Sequence, residues 1–153
     1  MPNVLLKNIQ NIQNKAARLI KKIPPRERIT PILIELHWLP IKTRIVYKIC
    51  LLTYKALNYN EPQYLKKLLV PFELETSVVV RHAVEHHRLH EPRGNTRVIE
   101  RTFWYSAPRL YNKLPEVIKN SDDINKFKKK LKTHLFEQSY DFEDKTLREQ
   151  YKV

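Results

Sequence analysis

Glycine and cysteine are almost missing from this sequence. One glycine, Gly94, stands among 153 residues. That removes every glycine-rich phosphate loop, both the GxGxxG and the GxxxxGK[ST] type, and with them the nucleotide-binding enzymes built on those loops. It also argues against an all-β domain, whose tight turns draw heavily on glycine and asparagine. One cysteine, Cys50, allows no internal disulfide and no cysteine-based zinc finger or knuckle. No apolar run approaches the roughly 20 residues of a membrane span. Met1-Pro2-Asn3 does not open a charged and then apolar leader. The expectation is an intracellular protein, not secreted, with nucleus and cytoplasm both open.

Acid is scarce relative to base. Sixteen Asp and Glu face 29 Lys and Arg, a formal charge of +13 and a pI near 9.9. Hydrophobic residues make up 42% and aromatics 10% of the chain, far too many for a disordered basic tail. The excess charge is uneven. Residues 1–28 carry seven bases and one acid, and residues 102–136 carry eight and three; residues 73–101 balance at five each, and 137–153 are acidic. This divides the chain into an N-terminal helical block (1–71), a variable loop or hairpin linker (72–101), a C-terminal helical block (102–136) and an acidic tail (137–153).

Ten prolines placed near helix starts and ends point to short helices, so the fold expected is mainly α. It is a small helical domain of about five to seven helices, with room for a short β-hairpin in the middle. A first helix is expected from an Asn3 cap to Ile23, where Pro24-Pro25 stops it. Its apolar face comprises Ile9, Ile12, Ala16, Leu19, Ile20 and Ile23. Lys15, Arg18 and Lys22 share another face. Thr30-Pro31 is expected to cap a short helix to about His37. A longer helix from Pro40 to Leu57 would bury Ile41, Ile45, Ile49, Leu52 and Ala56. Arg44, Lys48 and Lys55 lie within about 40° of one another on its opposite side. Pro62 restarts a short helix toward Leu69. Ser77–Val80 has β-branched character and pairs with Arg97–Ile99 in a hairpin, or the stretch is a flexible loop; both satisfy the pattern. Ser106-Ala107-Pro108 would start a helix through Tyr111. Ser121 would cap a last helix with Asp122 and Asp123 in its first turn. Ile124, Phe127, Leu131 and Leu135 are its apolar stripe, and Lys126, Lys128, Lys129, Lys130 and Lys132 crowd the rest.

Catalytic or metal chemistry has little to stand on. His82, His86 and His90 repeat at four-residue spacing, but Val78-Val79-Val80, Pro92 and Gly94 make helix an unfavourable state there. Cys50 sits mid-helix as a buried structural thiol. No acid pair or triad has workable spacing, so neither an enzyme nor a cofactor, metal or small-molecule substrate is expected. Basic stripes interleaved with aromatics instead suit a polyanion held through phosphates with weak sequence specificity, RNA or DNA, and not a membrane. Trp104 and Tyr105, flanked by Arg101 and Arg109, are the best placed for stacking on unpaired bases.

A series of motifs then stands out in order. These are Ile12-Gln13-Asn14-Lys15-Ala16-Ala17-Arg18-Leu19-Ile20, Leu36-His37-Trp38-Leu39-Pro40-Ile41 and Leu51-Leu52-Thr53-Tyr54-Lys55-Ala56-Leu57. Ala107-Pro108-Arg109-Leu110-Tyr111-Asn112 with Leu114-Pro115 follows, and then Phe127-Lys128-Lys129-Lys130-Leu131-Lys132-Thr133-His134-Leu135-Phe136. Over roughly residues 9–136 this order resembles the region downstream of the polymerase core in reverse transcriptases of non-LTR (LINE, jockey-like) retrotransposons. Where Tyr111 stands the family pattern usually has Trp, and residues 73–90 match poorly. That family's polymerase palm carries Tyr-x-Asp-Asp, and this sequence has none; the endonuclease segment is missing as well. The resemblance therefore implies a non-catalytic, nucleic-acid-binding C-terminal fragment of an RNA-directed DNA polymerase, with the polymerase core supplied, if at all, by another chain. Alternatives are a protein-interaction or scaffold module co-opted from such an element, and a truncated copy without function. The residues expected to touch phosphate or base are Lys15, Arg18, Lys22, Arg44, Lys48, Lys55, Trp104, Arg109, Lys126, Lys128, Lys129, Lys130 and Lys132.

Overall fold

A computed structural model of the chain describes residues 3–71, 88–94, 96 and 98–140. The architecture is mainly α, as the proline and glycine usage requires. Among the described residues there are seven α-helices, one 3₁₀ turn and no strand, with a lone bridge between Pro71 and Leu89. The helices are α1 (Asn3–Lys21), α2 (Thr30–Glu35), α3 (Ile41–Asn58), α4 (Gln63–Lys66), α5 (Phe103–Asn112), α6 (Glu116–Lys119) and α7 (Ile124–Tyr140); the 3₁₀ turn spans Ile99–Arg101. They form two compact units. The first takes the residues up to Tyr47 and those from Lys129 onward, and the second takes Lys48–Lys128. Helices α3 and α7 each begin in one unit and end in the other.

In the first unit, α1 ends two residues before the expected Ile23. Lys22 adopts a left-handed conformation with φ 53°. Its N–H reaches the Leu19 carbonyl while the Ile23 N–H reaches that of Arg18. These two bonds make the Schellman arrangement that satisfies the last helical carbonyls. The same device ends α2 at His37, with φ 52° and bonds from His37 N–H to Ile34 and from Trp38 N–H to Leu33. Thr30 is not the cap expected of it: it lies inside α2, preceded by Ile29, and no side-chain cap bond is made. Ala17, Ile32 and Leu33 form the apolar centre, with Ile23, Ile29, Leu36, Trp38 and Tyr140 packed against it. The Tyr140 hydroxyl donates to the Trp38 carbonyl.

The buried side of α1 is not the expected one. Gln13 and Ala17 are buried, whereas Ile9, Ile12, Leu19 and Ile20 are exposed. A glutamine is tolerated inside because its amide is fully used. Nε2 donates to the Leu39 carbonyl, and Oε1 accepts from Gln10. Gln10 also donates to Asn14 and accepts from the backbone N–H of Ile41. Polar side chains thus fasten α1 to the start of α3, and hydrophobic periodicity cannot register such a contact.

The second unit is built on aromatic rings. Tyr54 and Phe127 stack with centroids 4.0 Å apart and planes 13° from parallel, and Tyr111 is completely buried. The Tyr54 hydroxyl donates to the Ser121 carbonyl. On α3 the buried residues are Cys50, Thr53, Tyr54 and Ala56, while Ile45 and Leu52 are partly exposed. Of the expected face only Ala56 is fully enclosed. Helix α5 starts at Phe103, three residues before the expected Ser106, and carries Pro108 inside it. Ser121 does not cap α7. Its hydroxyl donates back to Ile118, and the cap is Asp123, whose carboxylate accepts from the Asn125 N–H. Of the hairpin alternative, Ile99 starts a 3₁₀ turn instead; Ser77–Val80 and Arg97 lie outside the described residues, as do His82, His86 and the tail beyond Tyr140.

The single glycine has a packing role. A Cβ on Gly94 would stand 2.7 Å from the Ile99 side chain and 3.0 Å from the Tyr105 ring. Nearby, Asn112 substitutes for a strand. Its Oδ1 accepts from the Leu89 N–H at 2.9 Å, and its Nδ2 donates to the Leu89 carbonyl at 2.8 Å. This pair holds Leu89 in the core.

Candidate nucleic-acid interface

Charge separates the two units. Among the described residues the first unit has twelve Lys and Arg against three acids, Glu27, Glu35 and Glu137. The second has twelve against six. The first is therefore the stronger source of positive potential, which raises the local concentration of a polyanion.

A groove on this unit is lined by Asn11, Asn14, Lys15, Arg18, Leu19, Lys22, Ile23 and Pro25. It brings together three of the residues expected to contact phosphate, because Lys15, Arg18 and Lys22 are three and four residues apart on α1. Their environments differ. Lys15 and Lys22 are exposed, and neither ammonium group takes an ion pair or hydrogen bond among the described residues. Arg18 is half-buried and spends its guanidinium on the loop, donating to the carbonyls of Pro24 at 2.9 Å and Glu27 at 2.8 Å. It shapes the groove wall that Pro25 completes. Asn11 and Asn14 add amide groups beside the ammonium groups; the basic stripe alone did not single them out. Lys21, one residue from the groove, is paired with Glu35. A second concavity of the same unit, about 540 Å³ in volume, has Lys7 and Lys42 on its rim and Leu6, Leu33 and Tyr140 among its walls.

The remaining residues are more dispersed. Arg44 is exposed near the start of α3, with Lys48 exposed and Lys55 half-buried further along the same helix side. On α7, Lys126, Lys129 and Lys130 share one exposed side, Lys132 is exposed beside them and Lys128 is half-buried. Lys126 pairs with Asp122 at 3.3 Å. Trp104 is 38% exposed. Arg109 is turned away from solvent: its guanidinium lies 4.2 Å over the Tyr105 ring, and it donates to the Pro92 carbonyl at 3.4 Å. Lys119, which no motif singled out, is buried and bound to Glu116 at 2.7 Å, so it is a structural cation.

No group of three or more metal-ligating side chains occurs among the described residues. The Cys50 thiol is buried and its pKa is pushed up to about 12 by loss of solvation, which keeps it protonated and unreactive. No helix is long and apolar enough to cross a membrane among the described residues. Comparisons with protein-family models, with curated proteins and with solved structures find no match to this chain.

Proposed function

We propose that the protein is a non-catalytic nucleic-acid-binding module, the C-terminal part of a non-LTR reverse transcriptase, which grips RNA or DNA through its phosphates. The observation that carries this reading is the α1 groove, where the Lys15 and Lys22 ammonium groups stand unpaired beside Asn11 and Asn14 in a unit whose described residues hold twelve bases and three acids. Unpaired ammonium groups are what a phosphate backbone displaces its counterions for. Lys22 adds a second point. It holds the left-handed position that ends α1, which puts a second exposed ammonium group on the groove.

The test is fluorescence anisotropy against labelled single-stranded RNA, structured RNA and duplex DNA over a range of salt. With five phosphates neutralised on duplex, log K falls with log salt at a slope of about −4.5. Replacing Lys15 and Lys22 with alanine should weaken binding to all sequences alike and flatten that slope by about 2. A slope that stays the same in this variant sinks the reading.

A further inference from the structure

The strongest feature left over is the side of α1 that the core does not use. Leu5, Ile9, Ile12, Ala16 and Leu19 are spaced by four, three, four and three residues, which is the a/d repeat of a helix seam. Leu5, Ile9, Ile12 and Leu19 are all exposed, Leu19 at 81% and Ile12 at 67%, and Ile20 lies along the edge at 56%. With Ile9 and Ala16 at a, the positions flanking the seam on one side are Asn8, Lys15 and Lys22. Those on the other side are Leu6, Gln13 and Ile20. The seam ends where α1 gives way to the left-handed Lys22, which lies just past the helix.

The charge on α1 decides what covers this seam. No acid precedes Glu27 in the sequence. A second copy would offer Lys15 and Lys22 no carboxylate in either direction: a parallel copy sets Leu6, Gln13 and Ile20 against them, and an antiparallel copy sets Asn8 or another lysine. A lipid surface suits the helix less well. Interfacial helices take Trp, Phe or Leu on the apolar face, and α1 supplies only aliphatic side chains there, with no aromatic anchor. Branched aliphatic side chains at a and d instead fit the holes of one facing helix, and the flanking lysines call for carboxylates opposite them.

We propose that the Leu5–Leu19 seam of α1 receives an acidic amphipathic helix from a partner protein, packed knobs-into-holes with its Glu or Asp side chains facing Lys15 and Lys22. This occupant would compete with nucleic acid for Lys15 and Lys22, and the two are read out separately.

The probe is a labelled three-heptad synthetic peptide with Ile at a, Leu at d and Glu at both flanking positions, titrated with the full chain. Controls are a scrambled peptide of the same composition and a version with Lys in place of Glu. The acidic heptad peptide should bind at least about tenfold tighter than its scramble, and the lysine version should not bind. Ile12→Asp with Leu19→Asp should abolish this preference at an unchanged melting temperature, since both side chains are solvent-exposed. Lys15→Glu with Lys22→Glu should transfer the preference to the lysine peptide. Equal binding of heptad and scramble, or binding unchanged in the Ile12/Leu19 variant, overturns the proposal. So does a seam-dependent dimer in sedimentation equilibrium, which would make a second copy the occupant. Seam-dependent adsorption to phosphatidylglycerol vesicles without any peptide preference would make it a lipid surface, and also overturns it.

Discussion

The two units spend their residues differently. Among the described residues, the second encloses Tyr54, Tyr111, Phe127, Pro108 and Cys50 almost completely, while in the first Leu131 alone is a large side chain enclosed to that degree. The first leaves Leu5, Ile12, Leu19 and Ile20 in solvent and, among the described residues, has half as many acids for the same number of bases. Burying a large ring contributes several times what a buried alanine does, so the second unit carries the greater share of apolar stabilisation. The contrast separates a part that holds itself together from a part that presents charge and apolar surface to others.

Substitutions break this comparison in a definite order. Phe127→Ala removes one half of the Tyr54 stack inside a closed core and should cost about 3 to 5 kcal/mol, read from chemical denaturation. Its counterpart in the first unit, Leu19→Ala at an exposed position, should change stability by less than about 0.5 kcal/mol in the same assay. Asn112→Ala strips Leu89 of two backbone hydrogen bonds and should cost about 1 to 3 kcal/mol. The two buried tyrosines should then part company. Tyr54→Phe deprives the Ser121 carbonyl of its donor and should cost about 1 kcal/mol, whereas the Tyr111 hydroxyl is buried without a partner. Tyr111→Phe should therefore be neutral or stabilising, and a loss equal to that of Tyr54→Phe would show that this hydroxyl is satisfied after all.

Alkaline pH sharpens the same contrast. Burial raises the Cys50 thiol to about 12, and raises Tyr111 and Tyr54 above their ordinary values as well, with Tyr59, Asp123 and Asp122 adding to the rise at Tyr54. Each group binds its proton more tightly in the folded chain than in the unfolded one. Stability should thus hold up to about pH 8.5 and fall as pH rises past the ordinary thiol and phenol values. Equilibrium unfolding at stepped pH checks this, and Cys50→Ala should remove the earliest part of the fall. A last substitution should give a gain. Lys22→Gly relieves a left-handed lysine and should stabilise the chain by less than about 1 kcal/mol while weakening nucleic-acid binding, so that stability and binding move in opposite directions.

Much of the fold was legible in the sequence. Proline punctuation marked α2, α3 and α4, and of the expected α7 stripe Phe127, Leu131 and Leu135 are buried while Ile124 is half-buried. The faces of α1 and α3 were not legible, for one physical reason. Both helices bury polar or small residues, Gln13 and Ala17 on α1 and Cys50 and Thr53 on α3, because hydrogen bonds such as Gln13 to Leu39 and Thr53 to Ile49 satisfy them. An apolar stripe marks the core only when no partner is needed elsewhere, and α1 keeps its stripe outside. The groove was half legible. Spacing put Lys15, Arg18 and Lys22 together, but nothing in it showed that Arg18 would turn to the Pro24 and Glu27 carbonyls and leave the two lysines as the unpaired pair. Arg109 was likewise unforeseeable in its place over Tyr105, since that depends on Pro92 and Gly94 folding back onto α5.

Lysine reactivity measured residue by residue tests the central claim most directly. The full chain is labelled with an amine-reactive reagent, with and without saturating single-stranded RNA, and each site is quantified by mass spectrometry. The account predicts the strongest protection at Lys15 and Lys22 of the first unit, and unchanged labelling at Lys66, Lys67 and Lys113 of the second. Protection that is uniform over all exposed lysines, or concentrated at Lys66, Lys67 and Lys113, would contradict it.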